Sequence, residues 1–149
     1  MIQQSISELF ERDLTKLKEE IGLYMDESKI WVVKGEIKNS AGNLALHLLG
    51  NLNHFIGAIL GDSGYVRNRD AEFLDKNVPH KEIIGDIDKT IGVIKSTLSK
   101  ISDEVLKKDY PVKVFKNKET MKTEFFLIHL VGHLNYHLGQ INYHRRLTS

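Results

Sequence analysis

Apolar residues recur at intervals of three and four along most of this chain, the spacing that puts them on one face of a helix. Ile6, Leu9, Phe10, Leu14, Leu17, Ile21 and Tyr24 predict a first helix from about Ser5 to Met25, weakened at its end by Gly22 and Asp26-Glu27-Ser28. A second opens at Asn39 or Ser40, both good N-caps, and runs to about Gly61. Leu44, Leu46, Leu48, Leu49, Leu52, Phe55, Ile56, Ile59 and Leu60 make it apolar nearly all round, so it is expected to be deeply buried. Pro79 suits the first turn of a third helix, whose seam is Ile84, Ile87, Ile91, Ile94, Leu98 and Ile101. The fourth starts near Thr120 to Thr123 and carries Phe125, Phe126, Ile128, Leu130, Val131, Leu134, Leu138 and Ile141 to about Arg146.

Four long helices predict an all-α bundle in a single domain spanning residues 1–149. Its connections, near residues 26–38, 62–78 and 102–119, exceed the 2–8 residues usual in simple bundles and are long enough to cross from one end to the other. Up-down-up-down topology is therefore not required. In the last connection Tyr110 to Phe115 alternates with a period of two, and Lys116-Asn117-Lys118 offers a turn back through Glu119 to Lys122. This is a candidate short hairpin.

Composition narrows the function classes. Lys and Arg total 21 against 20 Asp and Glu, a balance that points to neither nucleic acid nor a membrane surface as partner. No cysteine is present, which removes disulfides, thiolate ligands and cysteine nucleophiles together and suits a reducing cytosol. The polar N-terminal segment lacks an apolar signal core, and no apolar run approaches the roughly 20 residues of a membrane span. A cytoplasmic location is the expectation.

Histidines supply the candidate chemistry. His129, His133 and His137 stand four apart on the last helix, on one narrow stripe among apolar neighbours. The second helix has its own polar stripe of Asn43, His47, Asn51 and His54. Single buried histidines are usually hydrogen-bonded core residues, but two such stripes facing one another satisfy themselves around a cation. One imidazole from the second helix plus an i,i+4 pair from the last gives three nitrogens, a set suited to Zn, Ni, Fe or Cu and ill suited to Ca or Mg. Three protein ligands leave a position open for water or substrate. Asn51 and Gln140 are candidates to orient the rings, and His54 and His129 to act as alternative nitrogens or proton shuttles.

Other readings are weaker. Leu134 stands where a zinc protease would place the glutamate of H-E-x-x-H. Ser63 lacks a strand-turn-helix setting. Tyr65 to Asp70 reads as a solvated loop, though one whose position after the second helix could bring an arginine to the bundle mouth. Trp31 reads as a plug for a bundle end, and His80 and His144 as surface residues.

Three stretches carry a resemblance that runs the length of the chain. They are Asn39-Ser-Ala-Gly-Asn43-Leu-Ala-Leu-His47-Leu-Leu-Gly-Asn51-Leu-Asn-His54-Phe, Arg67-Asn-Arg69-Asp-Ala-Glu72-Phe73, and His133-Leu-Asn-Tyr-His137-Leu-Gly-Gln140-Ile-Asn-Tyr-His-Arg145-Arg-Leu147. In these the chain resembles DinB/YfiT-like proteins. The resemblance implies an up-down-down-up four-helix bundle, usually homodimeric, with a divalent metal on His47, His133 and His137. It also implies thiol chemistry, since characterised relatives include metal-dependent transferases acting with low-molecular-weight thiols and a thiol-dependent maleylpyruvate isomerase. The expected activity is thus activation of a small thiol, or of water in a hydrolase, on a three-histidine ion (Zn, Ni or Fe). The alternative is a non-catalytic, metal-binding or ligand-sensing dimeric bundle.

Overall fold

In the computed structural model, which describes residues 1–148, four long helical stretches pack around one apolar core, joined by connections that hold two short helices. Helix α1 spans Ile2–Gly22 and buries Ile6, Phe10, Leu14, Leu17 and Ile21, the predicted stripe. A 3-10 turn follows at Glu27–Trp31, where Asp26 accepts the backbone N–H of Ser28. Trp31 is half-buried against the core.

Helix α2 (Ala41–Leu52) starts where Ser40 Oγ accepts the N–H of Asn43 at 3.1 Å. Every residue of α2 except Leu46 is buried. The chain then continues without a break as a π-helix over Asn53–Leu60. Asn53 sits at this change of pitch, its amide donating to Leu49 O and to Thr90 Oγ1, both at 2.8 Å. The predicted second helix is therefore two helices in series. Beyond Asn53 the wider pitch rotates side chains off the stripe that a 3.6 period would give.

Helix α3 (Arg69–Leu74) lies inside the second long connection, capped by Asn68. Helix α4 (His80–Ser99) begins one residue after Pro79 and buries Ile83, Ile87, Thr90, Ile94, Thr97 and Leu98. Its seam is turned from the expected one, with Ile84 and Ile91 only half-buried. Threonine takes inward positions there because Thr90 Oγ1 donates to Asp86 O while accepting from Asn53. Thr97 also faces Gly61, where a Cβ would come within 2.5 Å of its hydroxyl. Helix α5 (Asp103–Lys107) and the 26-residue α6 (Thr123–Thr148) complete the chain. Helix α1 packs on α4 and α6, and α2 on α6 and α4. Buried carboxylates lock α1 to α6: Asp13 accepts from Asn135 at 2.6 Å, and Glu20 from Asn142 at 2.7 Å and Arg145 at 2.8 Å.

Three expectations are corrected. The hairpin does not form: among the described residues there is no strand, and the loop closes through a single antiparallel bridge between Asp109 and Lys122. Pro111 removes a ladder donor, and the aromatic residues that gave the alternation are used elsewhere. Tyr110 donates its hydroxyl to Phe55 O at 2.6 Å, and Phe115 packs edge-on against Phe126 and His129. His144 is not a surface residue; it is buried, accepting from Tyr24 Oη at 2.6 Å through Nδ1 and donating Nε2–H to Val32 O at 2.8 Å. The loop around Arg67 is not simply solvated either, for the Arg67 side chain is largely covered. No helix among the described residues is long and apolar enough to cross a membrane.

Candidate metal centre

His47 projects from the middle of α2, and His133 and His137 from successive turns of α6, so packing α2 on α6 brings the three rings together. Each offers one nitrogen, and the three nitrogens lie within 4.8 Å of one another. Nε2 of His47 and Nε2 of His133 are 3.2 Å apart. Two imidazoles on one tetrahedral ion with bonds of 2.0–2.1 Å would hold their nitrogens about 3.3 Å apart, so this pair already has the required spacing. The rings meet edge to face, with His137 at 86° to His47 and 90° to His133. His47 is buried; His133 and His137 are half-buried, so the cluster lies at the edge of the core.

Partners behind the rings set their orientation. His47 Nδ1 lies 3.0 Å from Glu72 Oε1, with both side chains buried. Glu72 is in turn held by Arg67, Nε to Oε2 at 2.8 Å and Nη2 to Oε1 at 2.9 Å. On the other flank His137 Nδ1 is 2.7 Å from Gln140 Oε1, placing Gln140 where the sequence suggested an orienting group. His133 has no such partner: its Nδ1 is buried and unpaired, and so is Oδ1 of Asn51, one turn along α2 from His47. Buried polar atoms are rarely left without partners; of the three among the described residues, Gln3 Oε1 lies on α1 and these two sit on the helices that carry the cluster.

Electrostatics favour neutral, ligating imidazoles. Burial lowers the pKa of His47, opposed by the hydrogen bond and charge of Glu72. Burial, reinforced by the neighbouring His137 and His47, lowers that of His133 to about 4. A neutral nitrogen donor set, two Nε2 atoms at ligand spacing and an orphaned Nδ1 together fit a divalent transition ion.

The remaining candidates stand apart. His129 is exposed one turn before His133, stacked on Phe126, with its ring centroid 6.5 Å from that of His133. His54 lies in the π-helix, half-buried with its ring edge on Phe55. His80 pairs with Glu27 across the first and second connections. A cleft of about 670 Å³ reaches His137 and Gln140 and is walled by Leu44, Tyr136, Tyr143 and the turn at 36–39. That volume suits a small organic molecule.

Sequence reasoning assigned no role to Glu72 or Gly50, and of Arg67 it said only that an arginine of the 65–70 loop could reach the bundle mouth. A signal existed. Gly50 follows His47 by three residues, on nearly the same face of α2, and its missing side chain is what admits Glu72. A family model described as "Protein of unknown function (DUF1572)" matches residues 3–148. Neither a curated protein nor a solved structure matches the chain.

Proposed function

We propose, for a chain that belongs to the DUF1572 family of unknown function, a metal-dependent role in which His47, His133 and His137 hold a divalent transition ion, Zn, Ni or Fe, and activate a small thiol for transfer to an electrophile. The observation that carries this reading is the convergence of three imidazoles from α2 and α6, one of which, His137, lines a cleft large enough for substrate. The DinB/YfiT-like resemblance of the sequence supports it, and with it an up-down-down-up four-helix bundle, a single domain and a homodimer.

The bound ion would supply a Lewis-acid position that lowers the pKa of a thiol, or of water, at neutral pH. The protein's own residues do the rest. Glu72 and Gln140 hold the His47 and His137 rings in fixed orientations. Leu44, Tyr136 and Tyr143 provide apolar walls for a substrate beside His137. No cysteine of the chain competes with an incoming thiol. Glu72 is held by Arg67 and His47 Nδ1 and is assigned no role as a base. The thiol reading is preferred over the hydrolase on the resemblance of the sequence.

The test begins with elemental analysis of protein purified without a histidine tag. About one transition ion per chain is expected, with loss of that ion in His47→Ala and His137→Ala. Metal-loaded protein is then assayed against panels of thiols and electrophiles. Turnover that survives both substitutions would end the enzymatic reading. Chelation separates catalysis from structure: lost turnover with little change in melting temperature supports catalysis, whereas a large fall in melting temperature without lost turnover supports a purely structural ion.

A further inference from the structure

The connection between α2 and α4 does more than return the chain. It delivers Arg67 and Glu72 to the back of His47, and α2 is shaped to receive them. A Cβ on Gly50 would lie 1.9 Å from Glu72 Oε2 and 2.5 Å from its Cδ, so only glycine leaves room for the carboxylate where it stands. Asn43 fixes the main chain of the same segment, its amide donating to Glu72 O at 2.9 Å and to Asp75 O at 2.8 Å. The Glu72 side chain is 6% exposed, and both its oxygens are taken.

The chemistry of this contact decides the tautomer of His47. A carboxylate only accepts, and a 3.0 Å approach of its oxygen to a bare nitrogen lone pair would be repulsive, so the ring proton must lie on Nδ1. Arg67 Nη2 also lies 3.4 Å from Nδ1, but that is the longest contact of the group and the same nitrogen already donates to Glu72 at 2.9 Å. With the proton on Nδ1, Nε2 keeps its lone pair, and Nε2 is the atom that faces His133.

We infer that Glu72, oriented by Arg67 and admitted by Gly50, is a positioning residue that holds His47 as its Nδ1–H tautomer, so that the second connection forms part of the metal centre. This rests on the metal reading above for its consequence, though not for the tautomer itself. Glutamine at position 72 would keep size and shape but acquire a donor. Each carboxylate oxygen faces an Arg67 donor, so either amide orientation sets its NH2 against Arg67 and loosens the acceptor that holds the proton on Nδ1, letting that proton reach Nε2, where it blocks ligation.

The experiment uses full-length, tag-free protein stripped with a chelator, comparing wild type, Glu72→Gln and Gly50→Ala. Long-range 15N–1H correlation spectra report the tautomer of His47 in the metal-free chain. Competition with a chromophoric chelator gives Zn affinity, and thermal melting of the metal-free forms reports folding. Wild type is expected to show Nδ1–H. Glu72→Gln is expected to shift the population toward Nε2–H and to weaken Zn binding 10- to 100-fold, the range for loss of such a partner. Gly50→Ala should weaken binding in the same direction although alanine is the better helix former, an outcome a purely local helix effect would not give. Should Glu72→Gln not fold, Gly50→Ala alone decides. An unchanged tautomer, or wild-type Zn affinity in the folded variants, overturns the inference. A wild-type chain that binds no ion while the tautomer still shifts would uphold the role of Glu72 and sink the metal reading instead.

Discussion

Nε2 of His47 and Nε2 of His133 face each other at 3.2 Å across 86 residues of chain. If Glu72 keeps the His47 proton on Nδ1, the metal-free contact is satisfied when His133 donates Nε2–H to His47, which leaves His133 Nδ1 as a buried lone pair without a donor. The same approach that looks like a hydrogen bond in one protonation state is a ligand pair in another. An ion would take the place of that shared proton, which moves to His133 Nδ1, and both Nε2 lone pairs become available to it.

The pH dependence of metal-free stability follows from the same rings. His133 has its folded pKa near 4 against an ordinary 6.5, because burial and its histidine neighbours disfavour the charged form. The unfolded chain therefore takes up this proton first as pH falls. The stabilisation is complete above about pH 6.5 and is lost progressively down to about pH 4. His47 is shifted in the same direction. Denaturant midpoints of the metal-free protein are expected to fall across this window and to fall less steeply in His133→Phe. Parallel pH profiles for the two proteins would contradict the assignment.

Asn51 offers a test with opposite signs in two measurements. Its Oδ1 is buried without a partner, an arrangement that costs roughly 1–3 kcal/mol. Asn51→Leu is therefore expected to raise the stability of the metal-free chain by about 1 kcal/mol in urea. When both Nε2 atoms are ligands, the proton of His133 resides on Nδ1 and requires an acceptor. Asn51 Oδ1 is the unpaired acceptor on the facing helix. The same substitution is then expected to weaken Zn binding several-fold. Higher stability with unaltered affinity would leave Asn51 outside the centre.

What could be read from the chain and what could not divide along physical lines. The helices were legible because burial enforces a 3.6 period: Ile6 to Ile21 in α1 and Leu134, Leu138 and Ile141 in α6 are buried as their spacing requires. That histidines of the second and last helices would meet was legible for the same reason, since two polar stripes on apolar helices have few ways to be satisfied otherwise. The choice of His47, His133 and His137 over His54 and His129 came from the family resemblance. The π-helix after Leu52 was not, because apolar periodicity does not mark a change of pitch, and Asn53 at its start is held by a long-range contact with Thr90. Glu72 was missed because a six-residue helix in a long connection has no periodicity to place it. His144 was misread through its place near the end of the last helix, although it continues the buried row of Leu134, Leu138 and Ile141 by three residues.

Asn43 anchors the connection that carries Glu72, and its loss should be felt twice. The side chain is buried, its amide satisfies the carbonyls of Glu72 and Asp75, and its Oδ1 accepts from Ser40 Oγ at 2.7 Å and Lys76 Nζ at 2.5 Å. Asn43→Ala strands the carbonyl of buried Glu72 and releases that of Asp75, at an expected cost of about 1–3 kcal/mol in urea denaturation. Amide hydrogen exchange over residues 67–76 should accelerate more than that of α1. Uniform acceleration throughout the chain would show a global effect rather than release of this segment.

His144 provides the contrasting case of a histidine that supports only the fold. Both ring nitrogens are committed, Nδ1 to Tyr24 Oη and Nε2 to the Val32 carbonyl, and burial raises the pKa of the Tyr24 phenol so that it remains a donor at all ordinary pH. With no free lone pair, this ring is not available to an ion even though it borders the cleft beside His137. His144→Phe keeps the ring volume but leaves the Tyr24 hydroxyl and the Val32 carbonyl without partners, a cost of about 1–3 kcal/mol in urea. Metal stoichiometry and Zn affinity are expected to remain at wild-type values, while His137→Phe, seven residues earlier on the same helix, should abolish tight binding with a smaller effect on metal-free stability. Loss of the ion in His144→Phe at an otherwise folded centre would move the ligand set one cleft wall away from where the three rings converge.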